Sequence, residues 1–184
     1  MTIGEQFTIF AFDSDCHNNA CLNYGFHNLD LYARGYKLAA DSLVESVSKS
    51  GQNQDLLIYP IVFLFRQYFE LRLKELISEG NKVLNSCSDY EKTHNLERLW
   101  EAAFNIIEII YKDHSGRPNF KLVGDYFAEF SKYDSYSMSF RYPTDREGKN
   151  PIDNLVYINI RKFAEIANEV SEIIEPLSCG IPDL

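Results

Sequence analysis

Tyr59-Pro-Ile-Val-Phe-Leu-Phe-Arg-Gln-Tyr-Phe-Glu-Leu-Arg-Leu-Lys-Glu-Leu-Ile77 is the stretch whose reading decides the fold. Ile61, Val62, Phe65, Phe69, Leu73, Leu76 and Ile77 recur at three and four, the period of a helix that buries one stripe. Leu64, Tyr68 and Leu71 add a second apolar face, so the helix is either central to a bundle or also meets a partner subunit. Tyr59-Pro60 marks its expected start, because proline suits a first turn, and Gly80-Asn81 its expected end.

The same period continues on both sides. Upstream, Leu29, Tyr32, Ala33, Tyr36, Ala39, Ala40, Leu43, Val44 and Val47 predict a helix from Asn28 to about Ser50-Gly51. Downstream, Leu96, Leu99, Trp100, Ala103, Ile106, Ile107 and Ile110 predict a helix from about Thr93 to Tyr111, broken by the segment Asp113 to Pro118. A shorter helix from about Asn119 to Lys132 carries Val123, Tyr126, Phe127 and Phe130. A last one carries Phe163, Ile166, Ala167, Val170, Ile173, Ile174 and Leu177 and ends at Cys179-Gly180, before Pro182.

Between Ser135 and Ile160 the period shortens. Alternation over 136–142 and again over 156–160, around a polar loop, suggests a small β-ribbon. The fold class expected is therefore all-α: a four-helix up-and-down bundle with an extra short helix and that ribbon. Residues 1–27 read as an N-terminal arm, 28–178 as the bundle and 179–184 as a tail. Within the arm, Phe7-Thr-Ile-Phe-Ala-Phe12 reads as a short strand or a docked segment.

Composition narrows the class. The 184 residues, 45% hydrophobic and 24% charged, have ordinary globular proportions and exclude a disordered or fibrous chain. Eighteen basic residues against 27 acidic ones leave a net charge of −9, so any nucleic-acid binding needs a local basic patch. Met1-Thr-Ile-Gly-Glu-Gln-Phe7 lacks the basic and apolar regions of a signal peptide. The longest apolar run, Ile58 to Phe65, falls well short of the roughly 20 residues that cross a bilayer. Four cysteines (Cys16, Cys21, Cys87 and Cys179) make no disulfide framework in a chain this long, so a reduced, cytoplasmic setting is expected, with no membrane partner.

Candidate chemistry gathers at three places. Arg66 and Glu70, spaced i and i+4 with Gln67 and Lys74 alongside, form either a phosphate-gripping patch or an internal ion pair that fixes helix register. His94, at a helix start, is either a general base and phosphate donor or a capping residue. Arg141, Tyr142, Pro143 and Asp145 form a stiff segment, and with Arg146 and Lys149 make the densest basic cluster of an acidic chain. That cluster either binds phosphate groups or pairs with acidic helix faces. Asp13-Ser-Asp-Cys-His-Asn-Asn-Ala-Cys21, with His27 beyond, does not match a structural zinc spacing, so no metal and no cofactor is expected. Walker-type phosphate loops, Gly-x-Gly-x-x-Gly, His-Glu-x-x-His and nucleophile-elbow motifs do not occur.

The stretch 59–77, together with His94-Asn-Leu-Glu-Arg-Leu-Trp100 and Phe140-Arg-Tyr-Pro-Thr-Asp145, resembles helical proteins of the HEPN type (higher eukaryotes and prokaryotes nucleotide-binding), in motif order as well as content, over roughly residues 28–178. The resemblance implies a helical bundle that dimerises through its helices. It also implies membership of a group that includes metal-independent ribonucleases, toxins paired with small nucleotidyltransferases, and non-catalytic binding modules of defence and stress responses. Active HEPN nucleases carry an arginine followed four to six residues later by a histidine. His17, His27, His94 and His114 all depart from that spacing. The expectation is thus a homodimeric, non-catalytic or atypically active protein that binds a nucleotide, RNA or a protein partner. The alternatives are a ribonuclease with a site built from Arg66, Glu70, His94 and Arg141, and a purely structural dimerisation module.

Overall fold

The computed structural model describes residues 9–22, 29–86, 92–112 and 118–181. The start of the Phe7–Phe12 run, His27, Cys87, His114 and Pro182 lie outside the described residues. Helices α1 (Leu29–Ser50), α2 (Gln54–Val83), α3 (Leu96–Ile110), α4 (Phe120–Asp134) and α5 (Ile160–Gly180) form the expected all-α bundle. A single 3₁₀ turn at Cys16–Asn18 precedes them.

The two-faced helix is central. α2 packs against α1, α3 and α5, and its 30 residues reach about 45 Å at the helical rise. Buried on it are the predicted stripe and Tyr68, together with Arg66, Glu70 and Arg72. It begins at Gln54, before Tyr59-Pro60, because Asn53, in a left-handed conformation at φ 63°, offers its carbonyl to the Leu56 and Leu57 amides and starts the first turn there. Pro60 then lies inside the helix. α1 buries Ala33, Ala40 and Val47, seven apart, as a narrow seam, with Tyr36, Leu43 and Val44 half-buried against the core beside it. Gly51, at φ 63°, closes α1 by donating its amide to the Val47 carbonyl.

Aromatic rings weld the remaining helices together. Trp100 and Phe104 of α3 meet Phe120 and Phe127 of α4, Phe69 of α2 meets Tyr126 and Phe127, and Phe65 meets Phe163 of α5 edge to face at 5.7 Å. Gly80 packs tightly against α3: a Cβ there would stand 2.3 Å from Ile106 Cγ2, a methyl held directly on a branched Cβ with little room to yield. Gly80→Ala is therefore expected to lower unfolding stability by about 1–2 kcal/mol despite its better helix propensity, as read from urea denaturation midpoints. Tyr126 is the opposite case. Its hydroxyl is buried without a hydrogen-bond partner among the described residues, and burial raises its pKa well above the ordinary phenol value. Tyr126→Phe is expected to stabilise the fold by about 1 kcal/mol, visible as a raised melting temperature.

The β-ribbon expected over 136–142 and 156–160 does not form; the described residues contain no strand. Asp134 Oδ1 accepts from the Met138 and Ser139 amides at 2.7 and 3.0 Å, and Ser137 takes φ 63°. The Met138 carbonyl then accepts from Arg141 and Tyr142, so the chain coils into consecutive turns. In the second run Ile160 already belongs to α5, whose amide of Lys162 is capped by the Asn159 side chain. In the described part of the Phe7–Phe12 run, Ile9, Phe10 and Phe12 are exposed and stand outside any strand.

Candidate functional site

Arg66 is the hub that joins three helices. Its side chain is completely buried, yet it carries a full charge, which demands partners. Nη1 donates to Glu70 Oε2 at 2.8 Å along the predicted i, i+4 spacing. Nη2 donates to the His94 carbonyl just before α3, and Nε stands 3.0 Å from Asp134 Oδ2 at the end of α4. The last contact is an ion pair without hydrogen-bond alignment. Asp134 also organises the 137–142 turns through Oδ1, so one guanidinium ties α2, the α3 entry and the α4 exit together.

Glu70 carries the connection outward to His94. It accepts from Arg66, from Lys74 Nζ at 2.7 Å, and from His94 Nδ1 at 2.8 Å. Burial pushes the carboxyl pKa up, but the hydrogen bonds from Lys74, Arg66 and His94 together outweigh it and leave the value below the ordinary one. An ionised carboxylate only accepts, so His94 Nδ1 is the donor and Nε2 is left as the outward nitrogen. The His94 side chain is 65% exposed while Glu70 is almost wholly covered: a buried carboxylate aims an exposed imidazole. Local structure fixes the backbone there. Asn95 caps α3 by accepting from the Arg98 amide at 2.9 Å, Thr93 accepts from Asn95, and Ser131 of α4 accepts from the Glu97 amide.

The sign of the Glu70 shift gives a pH expectation. A carboxylate with a depressed folded pKa contributes stability that is present above its unfolded value of 4.5 and lost as pH falls through the folded value. Glu70→Gln is therefore expected to flatten the loss of stability below about pH 4.5, measured as denaturation midpoint against pH.

Arg141 belongs to the same side of α2 but not to the ion cluster. Phe63, Gln67, Glu70 and Lys74 follow one face at spacings of four, three and four. Arg141 lies over the Phe63 ring at 5.4 Å and the Tyr142 ring at 5.3 Å, and Ser137 accepts from Gln67 at 2.8 Å. From Phe63 to Glu70 the helix rises about 10 Å, so Arg141 and His94 stand along one edge of α2. Tyr142 is exposed, and its hydroxyl accepts from Arg141 at 3.4 Å.

The rest of the basic loop is self-contained. Asp145 Oδ1 accepts from the Glu147 and Lys149 amides at 2.8 and 2.9 Å, and Lys149 pairs with Glu147 at 2.8 Å. Asp145 thus builds the loop, Lys149 is already neutralised, and Arg146 stays exposed. The loop Asp13–Asn19 likewise closes on itself, Asn19 Oδ1 accepting from the Asp13 amide and Asn19 Nδ2 donating to its carbonyl. No cluster of metal-ligating side chains occurs among the described residues.

A second buried guanidinium escapes a reading of the sequence. Arg72 pairs with Asp30 of α1 and Glu75 at 2.8 and 2.7 Å, and with Glu175 of α5 at 3.1 Å. Tyr68, on the neighbouring turn, meets Ser171 and donates to Glu175. The only local signal was the i, i+3 spacing of Arg72 and Glu75. This cluster clamps α1 and α5 to α2 and presents no exposed titratable base.

No helix among the described residues is long and apolar enough to cross a membrane. No protein-family model, curated protein or solved structure matches this chain.

Proposed function

We propose that the chain is a HEPN-like, homodimeric helical protein that binds RNA or a nucleotide along the His94–Arg141 edge of α2, without being a standard HEPN nuclease. The observation that carries this reading is the exposed His94 imidazole held by a buried, Arg66-anchored Glu70. Such an imidazole, with Arg141 over Phe63 and the exposed Arg146 beyond, gives phosphate oxygens donors in an otherwise acidic protein. Tyr142 adds an exposed ring on which a base can stack. Fluorescence anisotropy with a labelled single-stranded RNA tests it. With Arg141 and Arg146 on phosphates, affinity should fall with salt at a slope of about −1.4 in log–log form. Failure to bind RNA and nucleotides at low salt sinks the reading.

The dimer is supported by exposed apolar side chains: Tyr32 and Leu38 on α1, and Leu56 and Tyr59 at the start of α2. Light scattering on the eluting protein tests it, a monomeric mass being the contrary result. The protein partner suggested by the same resemblance is a small nucleotidyltransferase, to be sought by co-purification.

A second reading, a ribonuclease, is favoured by the orientation of His94. Nε2 would take the proton from a ribose 2′-hydroxyl as its oxygen attacks the adjacent phosphorus and the P–O5′ bond breaks, the departing 5′-oxygen taking a proton from water to leave a 2′,3′-cyclic phosphate, with Arg141 offsetting the charge that develops. Arg66, fully engaged inside, would act by positioning Glu70. Cleavage of RNA by the wild type and its loss in His94→Ala support this second reading; intact RNA in both leaves binding alone.

A further inference from the structure

Away from the α2 edge, an apolar pocket of about 220 Å³ lies between α2, α4, α5 and the non-helical segment before α5. Val62, Phe130, Phe163 and Ile166 form its helical walls, Leu155 and Ile158 line it from that segment, and one side is open. Packed interiors leave few voids larger than a water molecule. A cavity of about 150 Å³ lined by Leu, Ile and Phe stays dry and takes up benzene. This pocket is larger, and Val, Leu, Ile and Phe side chains make up most of its lining, with Tyr126, Tyr133 and Glu129 added. Its Leu155–Ile158 wall carries no helical ladder, so it can move aside without breaking one.

Charge decides between apolar ligands. Glu129 is the only charged residue of the lining, and its carboxylate already holds Lys132 at 2.6 Å. The wall therefore offers no cation to an anionic headgroup, and a carboxylate brought there would lie unpaired beside another.

We infer that this pocket binds a small uncharged apolar molecule somewhat larger than benzene, such as a bicyclic aromatic or a short-chain alcohol. The site is separate from the RNA reading and shares none of its proposed phosphate donors.

Methyl-resolved NMR of the full chain, titrated in turn with indole, 1-octanol and octanoate, tests it. Saturable shifts at Val62, Leu155, Ile158 and Ile166 are expected with indole and 1-octanol, and octanoate is expected to bind at least about tenfold more weakly. Leu155→Trp should fill the space and abolish the shifts while the circular dichroism spectrum stays native. Ile158→Phe serves the same purpose if the first variant does not fold. Absence of saturable shifts with both neutral probes, octanoate binding as tightly as 1-octanol, or undiminished binding in a folded filled variant overturns the inference.

Discussion

Arg66→Met should cost about 3–5 kcal/mol of stability, the largest single loss expected from any substitution in this chain. The side chains are similar in length, so the cavity contribution is small and the loss is electrostatic. Asp134 would keep its two backbone donors but lose the cation 3.0 Å from its other oxygen. Glu70 would retain Lys74 and His94 and lose Nη1. At about 2–4 °C per kcal/mol for a chain of this size, the melting temperature should fall by about 10 °C. Arg66→Lys should recover only a small part of it. One ammonium cannot reach Glu70, Asp134 and the His94 carbonyl in the fork that a planar guanidinium provides. A change below about 1 kcal/mol in Arg66→Met, the range of an exposed pair, would show that the three-way junction is not closed in solution.

His94→Ala should do the reverse: little to stability and much to binding. The imidazole is mostly exposed, and Glu70 keeps two cationic partners without it, so the melting temperature should hold within a few degrees. A hydrogen bond to a charged phosphate contributes about 1.5–3 kcal/mol, so affinity for single-stranded RNA should drop by about 10- to 100-fold. Lys149→Ala, which removes a cation already neutralised by Glu147, should change affinity by less than about twofold. Equal losses in the two variants would mean that RNA responds to overall charge and not to the α2 edge. The comparison separates a built site from general attraction.

The parts of this architecture that were legible in the sequence are those set by local period. The two-faced pattern around Phe65 and Phe69 left α2 either central or facing a partner subunit, and the Arg66–Glu70 spacing offered an internal ion pair as one of its two readings. His94 was legible as a residue type at a helix start, but its meeting with Glu70 depends on how α3 docks. The long-range partners of Asp134 and Arg72 were not legible: Arg66, Asp30 and Glu175 stand on other helices, and only the Arg72–Glu75 spacing is local. The ribbon failed for a related reason. Alternating Tyr136, Met138 and Phe140 has the period of a strand, but Asp134 captures two backbone amides that a strand would need for pairing. A side chain acting on backbone a few residues away is invisible to a pattern of hydrophobicity. Similarly, the stiff Arg141–Asp145 segment gave no sign that Asp145 Oδ1 accepts two amides of its own loop.

The claim on which the functional account rests is that buried Glu70 aims the His94 imidazole at a bound phosphate. Long-range ¹H–¹⁵N NMR of the histidine ring nitrogens, recorded with and without single-stranded RNA, tests it most directly. The account predicts a protonated, hydrogen-bonded Nδ1 in the free protein and a marked shift of the His94 Nε2 resonance as RNA saturates the site. A His94 ring without a proton on Nδ1, or one whose resonances stay fixed while RNA binds, would contradict it.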